Sequence, residues 1–187
     1  MTAPFFAAKR YELSDKEIRS VLLPSLLQRV FHVTRYQSLQ QIKEAGCIDP
    51  NTDGSLGDSF PGSNMSYGRH KGYVCFFDFR NKTPEAISWG LNCCNFMEAN
   101  HLGNRIAVLL LDTSAYARLI PVSAVPLDDK KGTLSIPQVE SWYPGAVSLE
   151  LIAEVFDVSI HRTPVLPDSL PATVIAAAEL LKKGYDD

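Results

Sequence analysis

Three widely separated residues, His32, Arg80 and Glu140, are of the types that act on nucleotides. A histidine, an arginine and a glutamate at strand ends, beside a long loop carrying Tyr67 and with Tyr73 just after it, can clamp a polyanionic nucleotide. Glu140 stands out for its surroundings, Ile136-Pro137-Gln138-Val139-Glu140-Ser141-Trp142-Tyr143-Pro144-Gly145, which are otherwise apolar, aromatic and turn-forming. A carboxylate is rarely taken out of water without a partner or a task. If this stretch is extended, Gln138 and Glu140 share a face and Val139 points to the core. The competing reading is an edge strand with two solvated polar residues. Taken singly, His32 reads as a structural strand histidine and Arg80 as a solvated strand end.

The elements that must position these residues follow from periodicity and caps. Ser14-Asp15-Lys16-Glu17 is a capping box opening a helix over 14–29, with Ile18, Leu22 and Leu26 as its stripe and Pro24 as a kink. Val30-Phe31-His32-Val33-Thr34 alternates as a strand, Phe31 and Val33 on one face, His32 and Thr34 on the other. A second box, Ser38-Leu39-Gln40-Gln41, opens a short helix ended by Gly46. Residues 49–72 form a long loop of the kind that often binds or covers ligands. Gly72 to Arg80 is a strand, and Thr83-Pro84-Glu85 caps a helix to about Met97. Arg105 to Asp112 is a central strand, and Tyr116 to Val125 one or two short strands. Ser148 caps a short helix to Glu154, Val155 to Ile160 is the last strand, and 170–183 a terminal helix. Mixed α and β with several short strands gives an α+β fold in a single domain over 1–187.

Composition narrows the classes. Of 187 residues, 45% are hydrophobic and 21% charged, an ordinary globular balance, and the net charge of −3 supplies no global field for nucleic acid. Arg69-His70-Lys71 with Arg80 and Lys82 is the only local basic cluster, with a solvated loop as its plain reading. The four cysteines, Cys47, Cys75, Cys93 and Cys94, lack metal-site spacing and read as core thiols in a reducing compartment. The four histidines lack metal-ligand spacing, so no metal is expected. No apolar run is long enough for a signal peptide or membrane span, which points to a cytoplasmic protein. Phosphate-loop, dinucleotide-fingerprint, zinc-protease and Gly-x-Ser-x-Gly motifs are missing.

Phe31-His32-Val33-Thr34 and the helix ending in Ala45-Gly46-Cys47-Ile48 resemble the opening of the ADP-ribosyltransferase superfamily. Phe76-Phe77-Asp78-Phe79-Arg80 and Gln138-Val139-Glu140-Ser141-Trp142-Tyr143 are similar to motifs of the DarT-type DNA ADP-ribosyltransferase toxins. The resemblance covers roughly 30–160 and has Val33 where many members carry glycine. It implies a split β-sandwich with flanking helices and NAD⁺ as the donor of ADP-ribose. It assigns Glu140 to the developing charge on the ribose, His32 to a ribose hydroxyl, and Thr34 to the nicotinamide end. Arg80 is assigned to the pyrophosphate, Tyr67 or Tyr73 to stacking on nicotinamide, and Gln138 to the acceptor side. A base in single-stranded DNA or RNA is the implied acceptor, and a toxin implies a partner antitoxin. A protein-directed ADP-ribosyltransferase, an enzyme like the RNA 2′-phosphotransferases, and a non-enzymatic nucleotide binder are the alternatives.

Overall fold

A computed structural model describes residues 8–57, 62–98 and 104–162. The helix expected over 170–183 lies outside them. The chain runs through β1 (Lys9–Ser14), α1 (Ile18–Leu26), β2 (Val30–Arg35), α2 (Tyr36–Ala45), β3 (Cys47–Ile48), α3 (Tyr67–His70) and β4 (Tyr73–Asp78). It continues through α4 (Pro84–Cys93), β5 (Arg105–Leu111), β6 (Ile120–Pro121), β7 (Glu140–Pro144), β8 (Val147–Ser148) and β9 (Ile152–His161). A seven-stranded open sheet takes the order β1-β9-β5-β2-β4-β7-β6, and β3 pairs with β8 in a second, two-stranded sheet. β1 runs parallel to β9, and every other named pair is antiparallel. The class is α+β.

Strand alternation builds two cores, one on each side of the large sheet. Ile106, Val108 and Leu110 of β5 join Phe31, Val33, Phe156 and Val158 against α1 and α4. Ala107, Leu109 and Leu111 join Val74, Phe76 and Tyr143 against Leu39 and Ile42 of α2. Burying both faces explains why β5 reads as an unbroken apolar run. Thr83 caps α4 by accepting from the Ala86 N–H, with Pro84 at the first helical position, and Gly46 ends α2 in the left-handed region at φ 72°.

Several expected boundaries move. Glu17 accepts from both the N–H and the hydroxyl of Ser14, at 3.0 and 2.7 Å. This box closes the turn out of β1, so α1 begins only at Ile18. α2 begins at Tyr36, two residues before the second box, with an extended Arg35 and no side-chain cap. A single 3₁₀ turn at Leu149–Leu151 replaces the helix expected up to Glu154, and β9 starts at Ile152. Between Thr113 and Ala124, 3₁₀ turns surround the two-residue β6.

The stretch before Glu140 is also not extended. Pro137 fixes its own φ, Gln138 adopts the left-handed region at φ 68°, and the Glu140 N–H returns to the Ile136 carbonyl at 3.2 Å. β7 therefore starts at Glu140, and Gln138 is exposed while Val139 is fully buried. The expected shared face of Gln138 and Glu140 is corrected: a turn separates them. Left-handed backbone at a glutamine is strained, and here it stands two residues before the buried acid.

Candidate active site

The sheet is split between β2 and β4. Their ladder holds two residue pairs, Val30 with Asp78 and Phe31 with Phe77, while the far edge of β2 stays paired with β5 out to Arg35. β4 meanwhile stays paired with β7 from Tyr73 to Phe77. Beyond Phe31 and Phe77 the two strands diverge, and a cavity of about 440 Å³ opens in the wedge. That size suits a small-molecule ligand. Val33, Thr34, Val74, Cys75 and Phe76 line it from the strands, Ile42 and Ala45 from α2, and Leu134 and Ile136 from the segment before β7.

The wedge brings together side chains that an intact sheet would keep apart. Glu140 lies opposite Phe77 and so shares the face of Phe77, Cys75 and Trp142, whereas His32 and Thr34 belong to the other face. His32, Thr34 and Glu140 all line the one cavity.

Glu140 is 5% exposed. Its Oε1 accepts from Trp142 Nε1 at 2.8 Å and its Oε2 from the Ile136 N–H. Burial pushes its pKa up, and these two donors act the other way by favouring the carboxylate. No hydrogen bond or ion pair to a lysine or arginine is found at Glu140 among the described residues, so its charge is stabilised by dipoles. Such a group can respond to positive charge arriving on a ligand.

His32 reaches across the wedge with Nδ1 2.9 Å from the Cys75 carbonyl oxygen. A carbonyl only accepts, so Nδ1 carries the hydrogen. Burial pushes the pKa of His32 down and outweighs the opposing effect of that bond. The ring is therefore neutral near pH 7, which leaves Nε2 as its acceptor. The Phe76 ring stands edge-on to it at 5.9 Å. Thr34 is buried.

The remaining expected site residues divide. Tyr73 lines the cavity. Tyr67 does not: it is 6% exposed and packs on Trp142 at 4.7 Å, with the Lys71 ammonium 5.7 Å from its ring. Arg80 also lies outside the lining. It grips Asp78 through Nε and Nη2, at 2.9 and 2.6 Å, and its guanidinium stacks 4.4 Å over Tyr116. Asp78 is buried and also accepts from the Ser141 hydroxyl at 2.9 Å. The basic cluster is divided too: Arg69 lines the cavity, while His70 Nε2 lies 3.1 Å from the Asn64 carbonyl.

Three features escaped the sequence reading. Trp142 is the donor that holds Glu140, and its position two residues along the same strand was an available signal. All four cysteines line the cavity, so they are not simple core thiols, and Cys93 is exposed. Burial pushes the Cys94 thiol up to about 12, with the charge of Glu140 adding to it, and the Cys75 thiol rises well above its ordinary value for the same two reasons. Both are protonated donors near neutral pH. The third is Arg69, for which the sequence carried no signal beyond its place in a long loop.

Among the described residues no group of three or more His, Cys, Asp or Glu is placed to hold a metal ion, and no helix is long and apolar enough to cross a membrane. The buried hydroxyl oxygen of Ser63, a cavity residue, has no hydrogen-bond partner, which fits a site built for a polar ligand. No family model, no curated protein and no solved structure matches this chain.

Proposed function

We propose that the chain is an NAD-dependent mono-ADP-ribosyltransferase of toxin or defence type, acting on a base in single-stranded DNA or RNA. The observation that carries this reading is the shared cavity: a buried Glu140 held by two N–H donors, and a neutral His32 across the wedge. On this reading the divided sheet is the split β-sandwich of the ADP-ribosyltransferases. NAD⁺ supplies the transferred group: the bond from ribose C1′ to nicotinamide breaks, nicotinamide leaves with the bonding pair, and the acceptor nitrogen or oxygen bonds to C1′ and releases a proton to water.

Glu140 then offsets the positive charge that builds on the ribose, in a site where low polarity strengthens the attraction. His32 Nε2 accepts a ribose hydroxyl, and Thr34 orients the nicotinamide end. Tyr73, the tyrosine that lines the cavity, stacks on nicotinamide. Gln138, exposed at the turn before Glu140, meets the acceptor. A toxin of this kind has a neutralising antitoxin protein as its partner.

The experiment is release of nicotinamide from NAD⁺ by the wild type and by Glu140→Gln, with single-stranded DNA, RNA and bulk protein as acceptors. Losing one such electrostatic group lowers the rate by about 10²–10³. Equal rates in the two proteins, or no release with any acceptor, would refute the activity. Label from NAD⁺ that appears only on protein would refute the nucleic-acid acceptor.

A further inference from the structure

Among the described residues that line the cavity, Arg69 is the one lysine or arginine. Its position is fixed from both sides. Gly68 lets α3 lie flat on the sheet, because a Cβ there would stand 2.6 Å from both Cys75 Sγ and Trp142 Cδ1. Gly54 makes room for the guanidinium: a Cβ there would stand 2.7 Å from Arg69 Nη2, and its φ of 79° itself favours glycine. The unpartnered hydroxyl of Ser63 belongs to the same lining. At the opposite pole stand Glu140 and its donor from Ile136. The cavity is therefore polarised, with a guanidinium by the 49–57 loop and a carboxylate by the 134–136 segment. Arg80, the other guanidinium that the motif pattern offers, is committed to buried Asp78 by two hydrogen bonds.

We propose that Arg69, and not Arg80, holds the phosphate-bearing part of the ligand, with the Ser63 hydroxyl donating beside it. This rests on the reading of the cavity as a nicotinamide-dinucleotide site and adds the direction in which the dinucleotide lies. The nicotinamide ribose sits at Glu140 and the phosphates at Arg69. A planar fork can place two charge-assisted hydrogen bonds on a diphosphate, which a point-charge ammonium does not reproduce.

The test is titration calorimetry of the full chain with ADP-ribose, with ADP and with nicotinamide riboside, which has no phosphate. The proteins are the wild type, Arg69→Gln, Arg69→Lys and Arg80→Gln. Arg69→Gln should weaken ADP-ribose and ADP by about 10- to 100-fold, the worth of one or two hydrogen bonds to a charged group, and leave nicotinamide riboside within about twofold. Arg69→Lys should recover part of the loss, which also controls for a folding defect. In Arg80→Gln the ratio of ADP-ribose to nicotinamide riboside affinity should match the wild type. Binding of ADP-ribose by the wild type with no loss in Arg69→Gln, or an equal loss for nicotinamide riboside, overturns the assignment of Arg69 and leaves the dinucleotide site standing. Failure of the wild type to bind any of the three overturns both.

Discussion

Gly90 of α4 packs directly on Val139, the residue before Glu140, and this contact makes a distant test of how the acid is held. A Cβ at Gly90 would fall inside the contact distance of Val139 Cγ2 and lie 3.3 Å from its Cβ and Cγ1. Val139 is fully buried, so its branches have nowhere to swing. Gly90→Ala gains about 1 kcal/mol of helix propensity but loses about 1–3 kcal/mol to overpacking, for a net loss of up to about 2 kcal/mol. Val139→Ala alone removes two buried methyl groups, worth about 0.8 kcal/mol each before any cavity effect. Together the two substitutions compensate, because the new methyl fills space that the old ones leave. Urea denaturation of the four proteins should give a favourable coupling of about 1–3 kcal/mol. Under the proposed activity, Gly90→Ala should also slow NAD⁺ turnover by about 10- to 100-fold, since a displacement of about 1 Å at a catalytic group has that effect. The double variant should recover most of it. Stabilities that add within about 0.5 kcal/mol would refute the close approach of α4 to the turn, and unchanged turnover in Gly90→Ala would refute its role in placing Glu140.

Trp142→Phe removes the indole donor from Glu140 and should lower stability by about 1.5–3 kcal/mol by thermal unfolding. The lost donor favoured the ionised carboxylate, so the acid limb of the turnover profile should move to higher pH; an unmoved limb would separate Trp142 from Glu140. His32 binds its proton less tightly when folded than when unfolded, so its contribution to stability is full above pH 6.5. That contribution is lost as pH falls below 6.5 toward the depressed folded value, and melting points of His32→Asn against wild type from pH 8 to 5 should show a shallower decline in the variant. Arg80→Gln strands the buried Asp78 with the Ser141 hydroxyl and should lower stability by about 1.5–3 kcal/mol in denaturant titration; a change near zero would show that the pair is not structural.

What the sequence revealed was local in cause. The alternation of Phe31 and Val33 against His32 and Thr34, the two-sided burial of Ile106 to Leu111, the Thr83-Pro84 cap and the left-handed Gly46 all follow from neighbouring residues. The Pro137-Gln138 turn was local too, yet the apolar pattern around it masked the signal. Other features were decided far along the chain. β1 joins the sheet by pairing Lys9 with Phe156 and Ser14 with His161, a partnership no short window contains. Which of Arg69 and Arg80 faces the cavity depends on Asp78, Tyr116 and Gly54, which are distant from one arginine or the other. Glu140 was legible as an unusual acid, while its burial against Trp142 and Ile136 needed the turn to be seen.

The divergence of β2 from β4 has a consequence for how this site would respond to mutation. Past Phe31 and Phe77 the facing strand edges present peptide groups to the cavity, and one of them, the Cys75 carbonyl, is already taken by His32. Recognition by main-chain atoms survives the replacement of almost any side chain. Alanine scanning of the lining would therefore undercount the contacts, and amide exchange at residues 32–34 and 74–76, slowed on ligand addition, would report the part of the site that no substitution can delete.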